Sequence, residues 1–258
     1  MNLDFLAVPM GMLVKLIYDM VSVIDSTYIS AYSIAIIIST ILFKLIVLPL
    51  TLKQSKSMKK MQEMNPKIQE LQQKYGKDPQ TLQRKQMELY KDANYSPFSG
   101  CLPLLIQFPI LIAFFYVIRE PVKYVFGDQA LFDTINKTFL WIKDLGFAEN
   151  HLFENGVING LSMGGIKLPF IGNALPVLAV ITGLTTYLTT KMTAQPSINE
   201  QQASTQKTMN MMMPIMIFVF SIQFPAGLAL YWVVSNAFQL VQQLIVLNSS
   251  KNPKEELK

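Results

Sequence analysis

Lys44 is the residue best suited to a chemical role, because it is the one charged side chain in the apolar run from Ser26 to Leu52. A charge near the middle of a membrane helix costs about 2.5 to 3.5 kcal/mol on insertion scales, and such residues usually mark functional sites. Lys53, the next cation, lies about 13 Å further along a helix, beyond the comfortable reach of a snorkelling side chain. The run therefore predicts a buried cation that attracts anions, unless Lys44 lies nearer the interface and snorkels.

Neutral polar side chains recur in the other apolar segments. Helical spacing puts them on common faces: Thr182, Thr185, Thr186 and Thr189 in one segment, and Trp232, Ser235, Asn236, Gln239 and Gln243 in another. Such residues either line a hydrated groove or form hydrogen bonds between neighbouring helices. Because unpaired polar groups facing hydrocarbon are costly, the first interpretation predicts these groove residues: Lys44, Thr40, Gln107, Thr185, Thr189, Trp232, Ser235, Asn236 and Gln239.

The sequence lacks the usual signatures of enzymes and cofactor sites. It contains one cysteine, Cys101, and one histidine, His151. It has no phosphate-binding glycine loop, no cluster of residues spaced as metal ligands and no nucleophile with a histidine nearby. We therefore expect no catalytic residues, no cofactor and no metal.

The elements that position these residues are membrane helices. The 258 residues are 51% hydrophobic, with a mean hydropathy of +0.31, and several apolar runs are long enough to span a bilayer. Between Lys207 and Lys251 lie 43 uncharged residues, too many for one crossing, so a turn is predicted at 223–227. The predicted order is an N-terminal interfacial amphipathic helix (1–25), transmembrane helices (26–52, 98–118, 168–190, 208–224 and 225–248), a cytoplasmic basic helical hairpin (53–97), an extracytoplasmic loop (119–167), a cytoplasmic loop (191–207) and a cytoplasmic tail (249–258).

Charge sets the predicted orientation. The net charge is +5, and residues 53–96 carry ten Lys and Arg against five acids, whereas residues 119–172 carry five against six. The positive-inside rule therefore places the hairpin in the cytoplasm and the N-terminus outside. Asn65-Pro66 is expected to break or restart the first arm of the hairpin. The hairpin cations expected to contact the ribosome or another acidic partner are Lys56, Lys59, Lys60, Arg84 and Lys85.

Two further helices are predicted outside the hydrocarbon core. Residues 3–24 carry Asp4, Lys15 and Asp19 in an apolar segment, which is typical of an interfacial helix rather than a span. A cleaved signal peptide is the alternative, although the basic n-region is missing. In the extracytoplasmic loop, a surface helix is expected around residues 131–145.

Two motifs resemble the YidC/Oxa/Alb family of membrane protein insertases. They are the segment from Asn94 to Pro109, NYSPFSGCLPLLIQFP, and the segment from Met212 to Asn236, which includes FPAGLALYWVVSN. The similarity extends over nearly the whole chain and is greatest to the short form typical of Gram-positive bacteria. It implies five helices around a hydrophilic groove, closed to the outside and open to cytoplasm and lipid, with a positive charge on the first span. Lys44 occupies that position, where many relatives have arginine.

The fold class is thus expected to be an all-α integral membrane protein with five transmembrane helices around a hydrophilic groove. Two functions are open: an insertase and chaperone for client membrane proteins, or a small-solute or ion transporter that uses Lys44 as its binding charge. The absence of paired, similar halves favours the insertase. Its expected partners are nascent membrane proteins, the ribosome, membrane lipids and, as a further candidate, the Sec translocon, but not DNA. The expected location is the bacterial cytoplasmic membrane, and a monomer is compatible with the sequence.

Overall fold

The protein is described by a computed structural model, which covers residues 4–95, 102–151, 160–162, 169, 174–193 and 200–249. These residues are mostly helical. In chain order the elements are α1 (Asp4–Val21), a short 3-10 turn (Ser22–Ile24), α2 (Ala31–Tyr75), α3 (Pro79–Asp92), α4 (Leu102–Arg119), a π-helical turn (Val122–Phe126), α5 (Gln129–Thr134), β1 (Leu161–Ser162), β2 (Ala174–Leu175), α6 (Val177–Thr193), α7 (Glu200–Gln223) and α8 (Ala226–Ser249). The two short strands pair in an antiparallel manner.

The longest helix, α2, has 45 residues, or about 68 Å at 1.5 Å per residue. It begins at a Ser30 cap, whose hydroxyl accepts the Ser33 N–H at 3.1 Å. It then runs without interruption through Pro49 and Pro66. The expected break at Asn65-Pro66 is therefore wrong. Proline removes one backbone hydrogen bond, and the burial of Met64 and Ile68 on either side of Pro66 keeps the helix continuous.

The second half of α2 and the helix α3 form a hairpin with its own small core. Asp78 caps α3 by accepting the Thr81 N–H at 3.2 Å, and Pro79 occupies the first turn. The buried side chains of this core are Met61, Met64, Ile68, Tyr90 and Tyr95. The hairpin is therefore an extension of the first long apolar helix, with a core separate from that of the main helical bundle.

The main bundle is apolar enough to occupy a membrane. Among the residues that the structure describes, three segments are long and apolar enough to cross one, namely 4–24, 31–75 and 226–246, and the segments 107–119 and 210–223 are shorter apolar helices. The molecule is thus an all-α integral membrane protein, in agreement with the predicted class. The helix α6 begins at Val177 and α7 begins at Glu200. The helix α7 is therefore longer than the transmembrane helix predicted at 208–224.

The region after α4 differs from the sequence-based expectation. The surface helix expected around residues 131–145 is wrong, because α5 ends at Thr134 and the chain then continues in turns. Those turns anchor the start of α8: the Gly227 N–H donates to the Leu145 carbonyl at 2.9 Å. A Cβ at Gly227 would lie 3.3 Å from that same carbonyl. The close approach explains why glycine stands at the beginning of α8.

The N-terminal helix α1 is apolar on two sides. Ala7, Met10 and Val14 are buried against the bundle, whereas Phe5 and Met12 are exposed. The helix packs against α2, α4 and the π-helical turn. Gly11 lies so near the Tyr124 carbonyl of that turn that no Cβ would fit. Because the π-helical turn follows the end of α4, α1 contacts the bundle near that end of α4. Its composition also suits a span, and the interfacial placement remains a prediction.

The helix α8 is central to the bundle. It packs against both α2 and α6, while α6 also packs against α7. At its start, Tyr231 stacks on Phe114 of α4 with ring centroids 4.1 Å apart. The helix α8 therefore contacts each of the three other helices that carry predicted groove residues.

Candidate functional site

Lys44 is buried within the bundle, with 8% of its surface exposed. Its ammonium group donates to the Gln107 Oε1 atom on α4 at 3.1 Å. The same Gln107 donates through Nε2 to the Tyr231 hydroxyl on α8 at 2.9 Å, and Tyr231 is hydrogen-bonded in turn to Ser235. Lys44, Gln107, Tyr231 and Ser235, the Lys44 cluster, therefore join three helices through one chain of polar contacts.

The Lys44 ammonium group is incompletely satisfied by the protein. Within the described part of the chain, its hydrogen-bond partner is the neutral Gln107 amide, and no carboxylate lies within ion-pair distance. A lysine ammonium group has three donors. Two donors and the full positive charge thus remain available to water or to an anionic ligand, which is the chemistry that the apolar run around Lys44 predicts.

A second polar contact joins α6 to α8. The Asn236 Nδ2 atom donates to the Thr186 hydroxyl at 2.9 Å and to the Thr185 hydroxyl at 3.2 Å. These threonines donate their own hydroxyl hydrogens to backbone carbonyls one turn earlier, at 2.7 to 2.8 Å. Their lone pairs are therefore free to accept from Asn236. Thr185, Thr186 and Asn236, the Asn236 cluster, hold two helices together as the hydrogen-bonding alternative predicted.

A third polar contact lies closer to the hairpin and joins α2 to α8. The Thr51 hydroxyl donates to the Gln242 Oε1 atom at 3.0 Å, and the Gln242 Nε2 atom donates to the Ser55 hydroxyl at 3.1 Å. Thr51, Ser55 and Gln242, the Gln242 seam, were absent from the sequence-predicted site. Gln242 follows Ser235 by seven residues, which is the helical spacing that repeats a face and could have revealed it.

The remaining predicted groove residues are Thr40, Thr189, Trp232 and Gln239, and the hydrogen bonds described for the two threonines go to backbone carbonyls of their own helices. Thr40 is buried one turn before Lys44, and its hydroxyl donates to the Ile36 carbonyl at 2.6 Å. Thr189 is buried one turn after Thr185. Trp232 and Gln239 are half-buried on α8. The described contacts therefore divide the predicted residues between separate clusters.

The hairpin cations differ in their exposure and in whether an acidic side chain lies beside them. Lys56, Lys60 and Arg84 are exposed, whereas Lys59 lies 3.8 Å from Glu63 and Lys85 lies 2.6 Å from Glu88. Exposed pairs of this kind contribute little stability, typically about 0 to 1 kcal/mol. The hairpin thus presents cations on both arms, two of them partly neutralised by a neighbour on the same helix.

Glu149 is a buried acid that sequence reasoning did not single out. It is 1% exposed, and its carboxylate accepts the Trp141 indole N–H at 2.7 Å and the backbone N–H groups of Leu178 and Ala179 at 2.9 and 3.0 Å. These amides belong to the first turn of α6, where unpaired N–H groups and the helix dipole favour an anion. Burial nevertheless raises the pKa of Glu149, outweighing the opposite effect of its hydrogen bonds.

The fold and the three polar contacts define a class: a helical membrane protein that holds a cation and several neutral polar groups inside its bundle. A family model described as 60Kd inner membrane protein matches residues 24–254. The chain is 38% identical over 249 residues to a membrane protein insertase YidC of Clostridium perfringens, covering 95% of this chain and 92% of the relative. It is 35% identical over 230 residues to that of Clostridium tetani, covering 89% and 88%.

Longer relatives match the same region. A membrane protein insertase YidC of Pelodictyon phaeoclathratiforme is 35% identical over 219 residues, and the chain spans only 33% of its length. A crystal structure of an active YidC insertase, with its first transmembrane domain resolved, superposes with a TM-score of 0.53 at 26% identity. It covers 94% of this chain, which spans 45% of that one. The chain therefore belongs to the 60Kd inner membrane protein family, is similar to YidC membrane protein insertases, and is a bacterial membrane protein.

Proposed function

We propose that this protein inserts client membrane proteins into the bilayer and helps them to fold. The observation that carries the proposal is the Lys44 ammonium group, buried inside an apolar bundle with a neutral amide as its described partner. A charge so placed is costly unless water or a ligand solvates it. A polar client tail that enters beside Lys44 would solvate this charge and be solvated by it.

The proposed path follows the polar clusters through a groove open to cytoplasm and lipid and closed to the outside. The client's helix passes laterally into lipid, while its polar tail exchanges water for the Lys44 cluster and the neutral side chains near it. Because each polar group left unpaired in hydrocarbon costs several kcal/mol, roughly 4 to 8 on alkane scales, such partners lower the barrier to tail crossing. Gln107 and Ser235 act by orienting the cluster rather than by chemical reaction.

The exposed methionines of α7 suit the chaperone part of this proposal. Met211 and Met212 are 63% and 61% exposed and stand close in sequence to the exposed Ile215. Thioether side chains adapt to varied apolar partners at low cost. In the membrane this surface would face either lipid or the apolar helix of a client, and both belong to the proposed partners.

The hairpin cations would guide the ribosome to the insertion site. Their position on an extension of α2 connects the docking surface directly to the helix that carries Lys44. Contacts between lysine or arginine and RNA phosphates are salt-sensitive and largely independent of sequence. The Sec translocon is a further proposed partner, for clients whose soluble domains are too large for the groove.

The test compares Lys44→Ala, Lys44→Arg and the unchanged protein in reconstituted vesicles, using matched clients with acidic or neutral tails. We expect Lys44→Ala to slow insertion most for acidic tails, and Lys44→Arg to retain it, because arginine keeps the charge. Lys67→Ala, which removes an exposed lysine further along α2, is the matched control. Normal insertion of acidic-tailed clients by Lys44→Ala protein would refute the proposed role of the buried charge.

A further inference from the structure

Two buried glutamines near the Gln242 seam have amide groups without an acceptor. Gln54 on α2 is 5% exposed and Gln243 on α8 is 2% exposed. Neither Nε2 atom has a hydrogen-bond partner among the residues that the structure describes. A carboxamide nitrogen has two donor hydrogens, and buried donors are almost always paired. Two such exceptions, each one residue from a member of the same polar seam, point to a ligand.

Helical geometry places both glutamines on the same flank of that seam. Contacts from Lys44 through Gln107 to Tyr231 and from Ser55 to Gln242 show that α2 and α8 run in the same direction. Gln54 precedes Ser55 by one residue and Gln243 follows Gln242 by one. A step of one residue is about 100° of rotation. On two parallel helices that face each other, a step of one residue back on one helix and one residue forward on the other turns both side chains to the same side of the interface.

That flank borders the space between α2 and α6. Gln243 follows Asn236 by seven residues and so repeats its face of α8, and Asn236 contacts α6. The helices α2 and α6 both pack on α8. Nearer the hairpin, the Gln62 side chain of α2 reaches the Met192 carbonyl of α6 at 3.4 Å. Gln54 and Gln243 thus lie between the Asn236 cluster and this contact, towards the hairpin end of the bundle.

We propose that Gln54 and Gln243 form a subsite that binds main-chain carbonyl oxygens of an extended client segment as it enters the groove. This inference rests on the proposed insertase function and specifies how a client of any sequence is held. Every residue of an extended chain carries a carbonyl that needs a donor away from water. Neutral amide donors supply it without regard to the charge of the client's side chains, whereas Lys44 favours acidic tails.

The Gln242 seam supports such entry because its bonds are between neutral groups. Neutral hydrogen bonds exchange readily, as their net contribution is small compared with charge-assisted ones. Parting α2 from α8 at Thr51 and Ser55 would expose the two glutamine amides to an incoming chain. The client's carbonyls then replace the broken contacts, so entry leaves fewer unpaired donors than the closed state.

The experiment uses Gln54→Leu, Gln243→Leu and the double variant in the full chain, reconstituted in vesicles. Leucine has a similar size but no donor. We expect insertion to slow by about fivefold to thirtyfold in the double variant, which loses two hydrogen bonds to the client. The loss should be equal for acidic and neutral tails. Thermal stability in detergent should be unchanged or higher, because buried unpaired donors are removed.

The combination of results separates this subsite from a structural role and from adventitious burial of the two amides. A structural role for the glutamines would lower thermal stability together with insertion, and adventitious burial would raise stability and leave insertion normal; either result overturns the subsite. Photo-crosslinking from position 54 to a client stalled during insertion is the second readout, with the exposed position 53 as its control. If Lys44→Ala impairs acidic-tailed clients but the leucine variants insert normally, the subsite fails while the insertase function stands.

Discussion

Replacing Glu149 should destabilise the protein by removing a cap that joins two segments. In Glu149→Ala protein, the Trp141 indole and the Leu178 and Ala179 amides lose their acceptor, and Leu178 and Ala179 are 3% and 0% exposed. Loss of a helix cap costs about 0.5 to 2 kcal/mol, and each buried donor left unpaired costs about 1 to 3 kcal/mol. Relief of a buried charge offsets part of this. We expect a loss of about 2 to 4 kcal/mol.

The measurement is thermal unfolding of the purified full chain in detergent, followed by the fluorescence of its tryptophans. Glu63→Ala is the matched control, because Glu63 is exposed and its pair with Lys59 spans 3.8 Å; its expected effect is within about 0.5 kcal/mol. Glu149→Gln should fall between the wild type and Glu149→Ala, since an amide keeps one acceptor oxygen. Equal melting of the Glu149→Ala and Glu63→Ala proteins would refute the capping argument.

The contribution of Glu149 to the stability of the fold should decrease as the pH rises. Burial raises the folded-state pKa of Glu149 above its ordinary value of 4.5, so the folded chain holds this proton more tightly than the unfolded chain. The resulting stability is present below about pH 4.5 and is lost as the pH rises through the folded pKa. The melting temperature of the wild type, relative to Glu149→Gln, should therefore fall as the pH is raised from about 4.5 towards neutrality. Asp144, whose pKa burial also raises, is present in both proteins and cancels.

Two further predictions concern the hairpin and the α6–α7 contact. Reversing the charges of the hairpin cations should weaken co-sedimentation with ribosomes at low salt and flatten its salt dependence, because fewer phosphate contacts form; unchanged binding would leave these cations a role in topology alone. Gly183→Leu should lower the melting temperature, because a Cβ there would already lie 3.1 Å from the Phe218 Cβ and overpacking costs about 1 to 3 kcal/mol. Gly183→Ala should cost less, and equal melting of the leucine variant and the wild type would contradict the close contact.

The fold class and three members of the Lys44 cluster, Lys44, Gln107 and Ser235, were accessible from sequence because they depend on strong, local signals. A lysine in a long apolar run must find a polar partner, and Gln107 is the most polar side chain of the next apolar run. The two residues are 63 positions apart and 3.1 Å apart in space. Hydropathy identified both helices, and the cost of burying polar groups selected both residues as groove candidates, whereas their direct contact is a finding of the structure. No local pattern identified Tyr231, which links them to α8.

The features that sequence reasoning missed depend on contacts between distant segments. Glu149 stands in a loop of mixed charge and resembles a surface acid until the start of α6 folds against it. Pro66 was expected to end a helix because its local preference is strong, yet the hairpin core around Met64 and Ile68 overrides that preference. Tertiary packing decides such cases, since a local penalty of about 3 kcal/mol is smaller than the burial of several large side chains, about 1.5 to 3 kcal/mol each.

The neutral polar groups and the charged Lys44 have different roles in the bundle. If the contacts between the helices were ion pairs, the helices would be held too firmly to part, because breaking a buried pair costs about 3 to 5 kcal/mol. The contacts that α8 makes with α2 and α6 through Gln242 and Asn236 are instead neutral. Among the described contacts that link α2, α4 and α8, the charge lies on Lys44, which is held by a neutral partner. Under the proposed function, a bundle built this way would exchange its internal hydrogen bonds for those of a client while keeping a fixed positive charge at Lys44 to attract it.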